Sequence, residues 1–168
     1  EKPGLLSPRY TVQNDLVPLD DYIKISIEGT QIEQNLRDQT LAVRYSTKGY
    51  QSFLTGEWEG DNYVFKTKVF GKFALVADSV PPTITPLTKR PASLSNETVL
   101  RFKVNDDRSG MGRYNAYLNG EWILCEYDSK RKRLSIVFEG VEPNPTGNVV
   151  ELKVQDAVGN QTSWRSTF

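Results

Sequence analysis

Apolar and polar residues alternate along most of the chain, and the alternation predicts strands almost from end to end. In VLRFKVN (99–105), Leu100, Phe102 and Val104 fall on one face and Arg101 and Lys103 on the other, the period-two pattern of a half-buried strand. VVELKVQ (149–155) repeats it with Val150, Leu152 and Val154, and RLSIVFEG (133–140) with Leu134, Ile136 and Phe138. RYNAYL and EWILCEY flank Asn119-Gly120, a pair that supplies the positive φ angles of a two-residue type I′ hairpin. TSWRSTF closes the chain. From PPTITPL onward this makes about seven short strands in about 85 residues, the pattern of an immunoglobulin-like sandwich.

The first half reads the same way. RYTVQ, YIKISIEG, LAVRYS, YQSFLTGEW, NYVFKTKV and KFALVAD are predicted strands, and TQIEQNLRDQ (30–39) alone suggests a short helix. The halves meet at DSVPPTITP, where two adjacent prolines fix φ and stiffen a short connection. Pro86 in TITPL suits an edge strand, because proline cannot donate to a ladder. The expected fold class is therefore all-β, with two tandem β-sandwich domains at 1–80 and 81–168, the second immunoglobulin-like.

Two strands of the second domain end alike, in KVNDDRSG (103–110) and KVQDAVGN (153–160). In an immunoglobulin-like order these strands run the same way, so the loops that follow them emerge at one end. Asp106, Asp107, Asp156 and Asn160 should gather there, and Asp78 on the entering linker should join them. Calcium takes six to eight oxygen ligands, and carboxylates from separate loops can supply them. The competing reading is that each Asp folds back on its own backbone as an Asx turn, with Gly110, Gly112 and Gly159 taking conformations that side chains resist. No EF-hand spacing is present, and no other cofactor is suggested.

Composition narrows the chemistry. Histidine is absent, so no Ser/His/Asp or Cys/His nucleophile system, no imidazole base and no His-ligated zinc can be built. The one cysteine, Cys125, lies in a strand-like run and reads as a packing residue. Carboxylates are plentiful, but none are spaced as an acid–base dyad, and the chain by itself is expected to be no enzyme. Basic and acidic residues number 21 each, which argues against nucleic acid as a partner. There is no transmembrane segment of 18 or more apolar residues. The chain begins at Glu1 and not at Met, the expected mark of a fragment or processed product.

Other features point to surfaces. Trp58, Trp122 and Trp164, with Tyr50, Tyr63, Tyr114 and Tyr117, can stack on sugars or fill the cores. KRKR (130–133) can grip an anionic polymer or simply guard a strand edge. Asn96-Glu97-Thr98 and Asn160-Gln161-Thr162 are glycosylation sequons that matter only in a eukaryotic secretory setting.

Taken together, FGKFALVADSVPPTITPL, LRFKVNDDRSGMGRYNAYLNGEWILCEYDSKRKRL and VVELKVQDAVGNQTSW resemble the C-terminal all-β region of lysostaphin-type (LytM-like) zinc peptidases of Bacteroidetes. The resemblance covers the chain after about Tyr10. It implies a pair of immunoglobulin-like domains behind a peptidoglycan endopeptidase domain, whose His-x-x-x-Asp and His-x-His zinc motifs are missing here. The implied function is a non-catalytic accessory region that positions or regulates the attached hydrolase, in the periplasm or at the cell surface. Its implied partners are that peptidase domain and a cell-wall glycan or envelope protein. Asp78-Ser79-Val80 is also similar to the O-glycosylation motif of that phylum, which makes Ser79 a modification candidate. The alternative reading is a free-standing, adhesin-like surface module that binds glycan or protein.

Overall fold

The computed structural model describes residues 4–168. The chain divides into two compact units, Glu1–Ser79 and Val80–Phe168. Both are all-β sandwiches of antiparallel sheets.

The first unit contains β1 (Tyr10–Val12), β2 (Pro18–Glu28), α1 (Gln34–Arg37), β3 (Thr40–Tyr45), β4 (Gln51–Leu54), β5 (Gly56–Glu59), β6 (Asn62–Val69) and β7 (Gly71–Ala77). One sheet runs β1-β7-β3-β4 and the other β2-β6-β5. Ile27, Ala42, Tyr63, Phe65, Phe73 and Leu75 fill the space between them. The helix expected over 30–39 shrinks to four residues, too short to bury a face of its own.

YQSFLTGEW, expected as one strand, is two. β4 pairs with β3 in one sheet and β5 with β6 in the other, so the chain changes sheets at Thr55-Gly56. Gly56 permits the crossing: a Cβ there would lie 2.3 Å from the carbonyl oxygen of Val64. Its N–H donates to the Tyr63 hydroxyl at 2.7 Å, which gives the crossing backbone a partner inside the sandwich.

The second unit contains β8 (Thr83–Pro86), β9 (Val99–Asn105), β10 (Met111–Leu118), β11 (Glu121–Ile123), β12 (Cys125–Asp128), β13 (Arg133–Val137), β14 (Val149–Asp156) and β15 (Gln161–Thr167). Its sheets run β8-β9-β13-β12 and β11-β10-β14-β15. That is the immunoglobulin-like arrangement with a short extra edge strand, β11. β8, with its proline, is an edge as its sequence requires. The hairpin turn is also as expected: Leu118 pairs with Glu121, and Asn119 and Gly120 take φ of 53° and 91°.

EWILCEY also divides, at the exposed Leu124, with β11 pairing to β10 and β12 to β13. Alternation continues across the break, so Ile123 and Cys125 are both buried. The core is formed by Leu100, Phe102, Val104, Leu134, Ile136, Phe138, Val150, Leu152 and Val154, all of them inward positions of the alternating runs. Burying each such side chain contributes about 1.5–3 kcal/mol. This packing holds the loops at the strand ends in place.

Candidate functional site

The two acidic turns are built on one plan. Asp106 Oδ1 accepts the backbone N–H of Arg108 at 3.0 Å and of Gly110 at 2.6 Å. Asp156 Oδ1 accepts those of Val158 at 3.0 Å and Asn160 at 2.8 Å. In each turn the carboxylate takes the N–H groups two and four positions ahead of it. A single Asp thereby supplies acceptors for a tight loop that has no ladder of its own. Gly110 at φ 80° and Gly159 at φ 97° provide the left-handed steps these loops need.

The fold brings the turns together. β10 and β14 are paired, Met111 lies opposite Asp156, and Ala157 donates its N–H to the Gly110 carbonyl at 3.0 Å. A carboxylate oxygen of Asp106 lies within 4.8 Å of one from Asp156. Asp156 is buried, and its Oδ2 accepts from the Asn160 amide at 2.8 Å. Asp106, Asp156 and Asn160 therefore share one end of the second sandwich.

Asp107 does not join them. It is exposed, and its Oδ1 accepts from the Asn105 amide at 2.5 Å. Asp78 is the penultimate residue of the first unit, where it is buried and its backbone N–H donates to the Gln39 carbonyl at 2.8 Å. Ser79, which follows, is exposed. Of the two sequons, Asn96 is exposed, whereas the Asn160 amide is committed to Asp156.

The aromatic candidates separate cleanly. Trp58 packs edge-on against Tyr63, with ring centroids 5.3 Å apart, and its indole N–H donates to the Arg37 carbonyl at 2.9 Å. Trp164 packs edge-on against Phe102 at 4.7 Å, on the floor of a groove of ≈ 250 Å³ beside β8 and β9. Tyr114 faces Tyr127 against the core. Tyr50 is exposed in a turn, and Trp122 is 60% exposed on β11. Opposite Trp122 stands Tyr117, half-buried. What remains of the expected platform is thus Trp122 with Tyr117.

KRKR spans a turn and the first residue of β13, and two of its cations bond neighbouring side chains. Arg131 bonds Asp128 through its guanidinium at 2.8 Å and its backbone N–H at 3.1 Å, which holds the Asp128 carboxyl below the usual range. The Lys132 ammonium donates to Asn105. Cys125 is buried among core residues, and desolvation pushes its thiol pKa up, away from thiolate chemistry. Among the described residues no helix is long and apolar enough to cross a membrane.

Fold and loops together define a protein made of tandem β-sandwiches whose loop carboxylates serve the loops themselves. Residues 1–78 match the family model of the Zu5-like domain, so the first unit is similar to that domain. No curated protein matches the chain.

Proposed function

We propose that this chain is a non-catalytic accessory region of a cell-envelope peptidoglycan endopeptidase, holding the attached hydrolase in position. The observation that carries this reading is the use made of Asp106 and Asp156. Each spends a side-chain oxygen on two N–H groups of its own loop, a structural task that stiffens the end of a sandwich. The absence of histidine adds to it, since the zinc ligands of a LytM-like enzyme would have to come from another segment.

On this reading the partners are a peptidase domain on the same polypeptide and the wall material it cuts, outside the cytoplasm. The work of the region is positional. Binding energy remote from the scissile bond raises the effective concentration of enzyme at its substrate without taking part in the chemistry. Ser79, exposed after Asp78, is the modification candidate that goes with this location.

The test has two arms. Purified chain incubated with sacculi should release no muropeptides, and detectable release would sink the proposal. Where the native polypeptide carries His-x-x-x-Asp and His-x-His upstream, deleting this region should slow hydrolysis of sacculi and leave cleavage of a short soluble peptide unchanged. Equal loss on both substrates would assign the region to folding of the peptidase instead.

A further inference from the structure

We propose that the outward face of the β11-β10-β14-β15 sheet binds a neutral oligosaccharide, with Trp122 as the stacking surface. The inference begins with register. Trp122 lies opposite Tyr117, Tyr117 opposite Glu151, and Glu151 opposite Arg165. One row of side chains therefore crosses all four strands. Alternation sets this row on the side away from the core, because the neighbouring row of Ala116, Leu152 and Trp164 packs inward. Asn115 and Lys153 form a second outward row beside it.

Trp122 is the informative residue. The other two tryptophans are packed against core rings, whereas Trp122 leaves more than half its surface in water. Its ring is nonetheless held: the indole N–H donates to Asn115 Oδ1 at 3.3 Å. Beside it, the Lys153 ammonium lies over the Tyr117 ring, 5.3 Å from its centroid, and 3.6 Å from Glu151 Oε2, so Tyr117 presents its edge and hydroxyl to the patch and Trp122 offers the open ring face. An oriented, solvent-facing indole is a surface prepared for a flat ligand with an apolar side.

The polar neighbours specify that ligand. A sugar ring shows C–H groups on its face and hydroxyls around its rim, each hydroxyl both donor and acceptor. Glu151 accepts, Lys153 and Arg165 donate, and Asn115 does both, so both halves of a hydroxyl can be met within one patch. A polyanion is disfavoured by the Glu151 carboxylate in the middle of the row. A stable protein partner would need roughly 800 Å² of its own surface buried around an apolar centre, and here two rings stand among charges. Three inter-strand spacings make the row roughly 14 Å long, a length suited to a short oligosaccharide.

This goes beyond the accessory reading, which needs no ligand on this face, and it stands equally for a free-standing module. The experiment is an amide and indole NMR titration of the whole chain with cellohexaose, xylohexaose, mannohexaose and N-acetylchitohexaose, repeated on W122A and W122F. At least one hexasaccharide should give saturable shifts centred on Asn115, Tyr117, Trp122, Glu151 and Arg165. W122A should weaken binding by at least about tenfold and W122F by less. The amide spectrum of W122A verifies that the exposed site has been changed without unfolding the sandwich. No saturable shift with any of the four at millimolar concentration overturns the proposal. So do shifts centred elsewhere, or W122A binding like the wild type. None of these outcomes bears on muropeptide release, so the accessory reading stands or falls separately.

Discussion

Ala157 donates its backbone N–H to the carbonyl of Gly110 at 3.0 Å, and that bond ties the loop after β14 to the loop after β9. The two loops are built by the same local rule, yet they are 50 residues apart, and only the pairing of β10 with β14 makes them neighbours. The close approach depends on Gly112: a Cβ there would lie 2.2 Å from the Asp156 carbonyl oxygen. The end of the sandwich is thus a small unit of four parts, two Asx turns, one cross-loop bond and one glycine.

Asp156 should be the more sensitive of the two acidic residues, being buried and the acceptor for Val158, Asn160 and the Asn160 amide. D156A is expected to cost about 1–3 kcal/mol, since part-buried N–H groups lose a charged acceptor. D156N should cost less, because its remaining oxygen can still accept from the loop. Urea unfolding of both variants measures the difference, and equal losses would mean that the backbone bonds are not the source of the effect.

Calcium should have no effect on stability. Asp156 is committed on both carboxylate oxygens, Oδ1 to two backbone N–H groups and Oδ2 to the Asn160 amide, and Asp106 Oδ1 likewise accepts two N–H groups, so an ion at this end would compete with donors already in place. The melting temperature is expected to be the same in millimolar Ca²⁺ and in chelator. A rise with calcium, by mass action on the folded state, would instead assign Asp106 and Asp156 to a metal site and bring Asp78, Asp107 and Asn160 back into consideration.

Glycine positions separate crowding from backbone strain. G112A forces a methyl against the Asp156 carbonyl and should cost about 1–3 kcal/mol or more through displaced backbone. G120A has open space around the new methyl but retains φ 91°, so its cost should be the conformational strain alone, about 1–2 kcal/mol. Thermal or denaturant unfolding of the two variants side by side tests the ranking.

Tyr63 supplies a pH-dependent term in the first unit. Burial pushes its phenol up to about 12 from the ordinary 10.0, partly offset by the Gly56 N–H that bonds its oxygen. Below pH 10 the phenol is protonated in folded and unfolded chains alike, and stability does not depend on it. Between 10 and about 12 the unfolded chain ionises first, so stability should fall as pH rises through that window. Ultraviolet titration should find one of the eight tyrosines ionising after the others, and Y63F should remove that last step.

Cys125 should report on the second unit. Its buried, raised-pKa thiol is expected to resist a thiol reagent in native buffer and to react at the rate of a free thiol once this sandwich unfolds. Rapid labelling of the native protein would show that the β12 edge opens without global unfolding.

Local rules made much of the second unit legible from residues alone. The Asn119-Gly120 turn needs φ values that this pair tolerates, the inward residues of VLRFKVN, RLSIVFEG and VVELKVQ alternate, and Pro86 belongs on an edge. The two Asx turns were legible as one of two alternatives. The breaks within YQSFLTGEW and EWILCEY are not legible from alternation, because a strand that passes from one sheet to another keeps its alternation while changing partners. A signal was present in the first case, since Gly56 interrupts the run at the crossing. Trp122 could have been singled out by parity: with Ile123 and Cys125 as inward positions, Trp122 and Leu124 must face out.

By itself, then, the sequence determined an all-β chain without histidine chemistry, the positions of most strands, and two acidic turns of one design. These depend on period, φ preference and residue type, which act over a few residues. The tertiary structure decided that Asp106 and Asp156 share an end while Asp107 turns away. It also decided that Trp58 and Trp164 serve the cores while Trp122 remains in solvent. Those outcomes depend on which strand edge each segment meets, and that is set by burying both sheets' apolar faces at once, a condition no single segment carries.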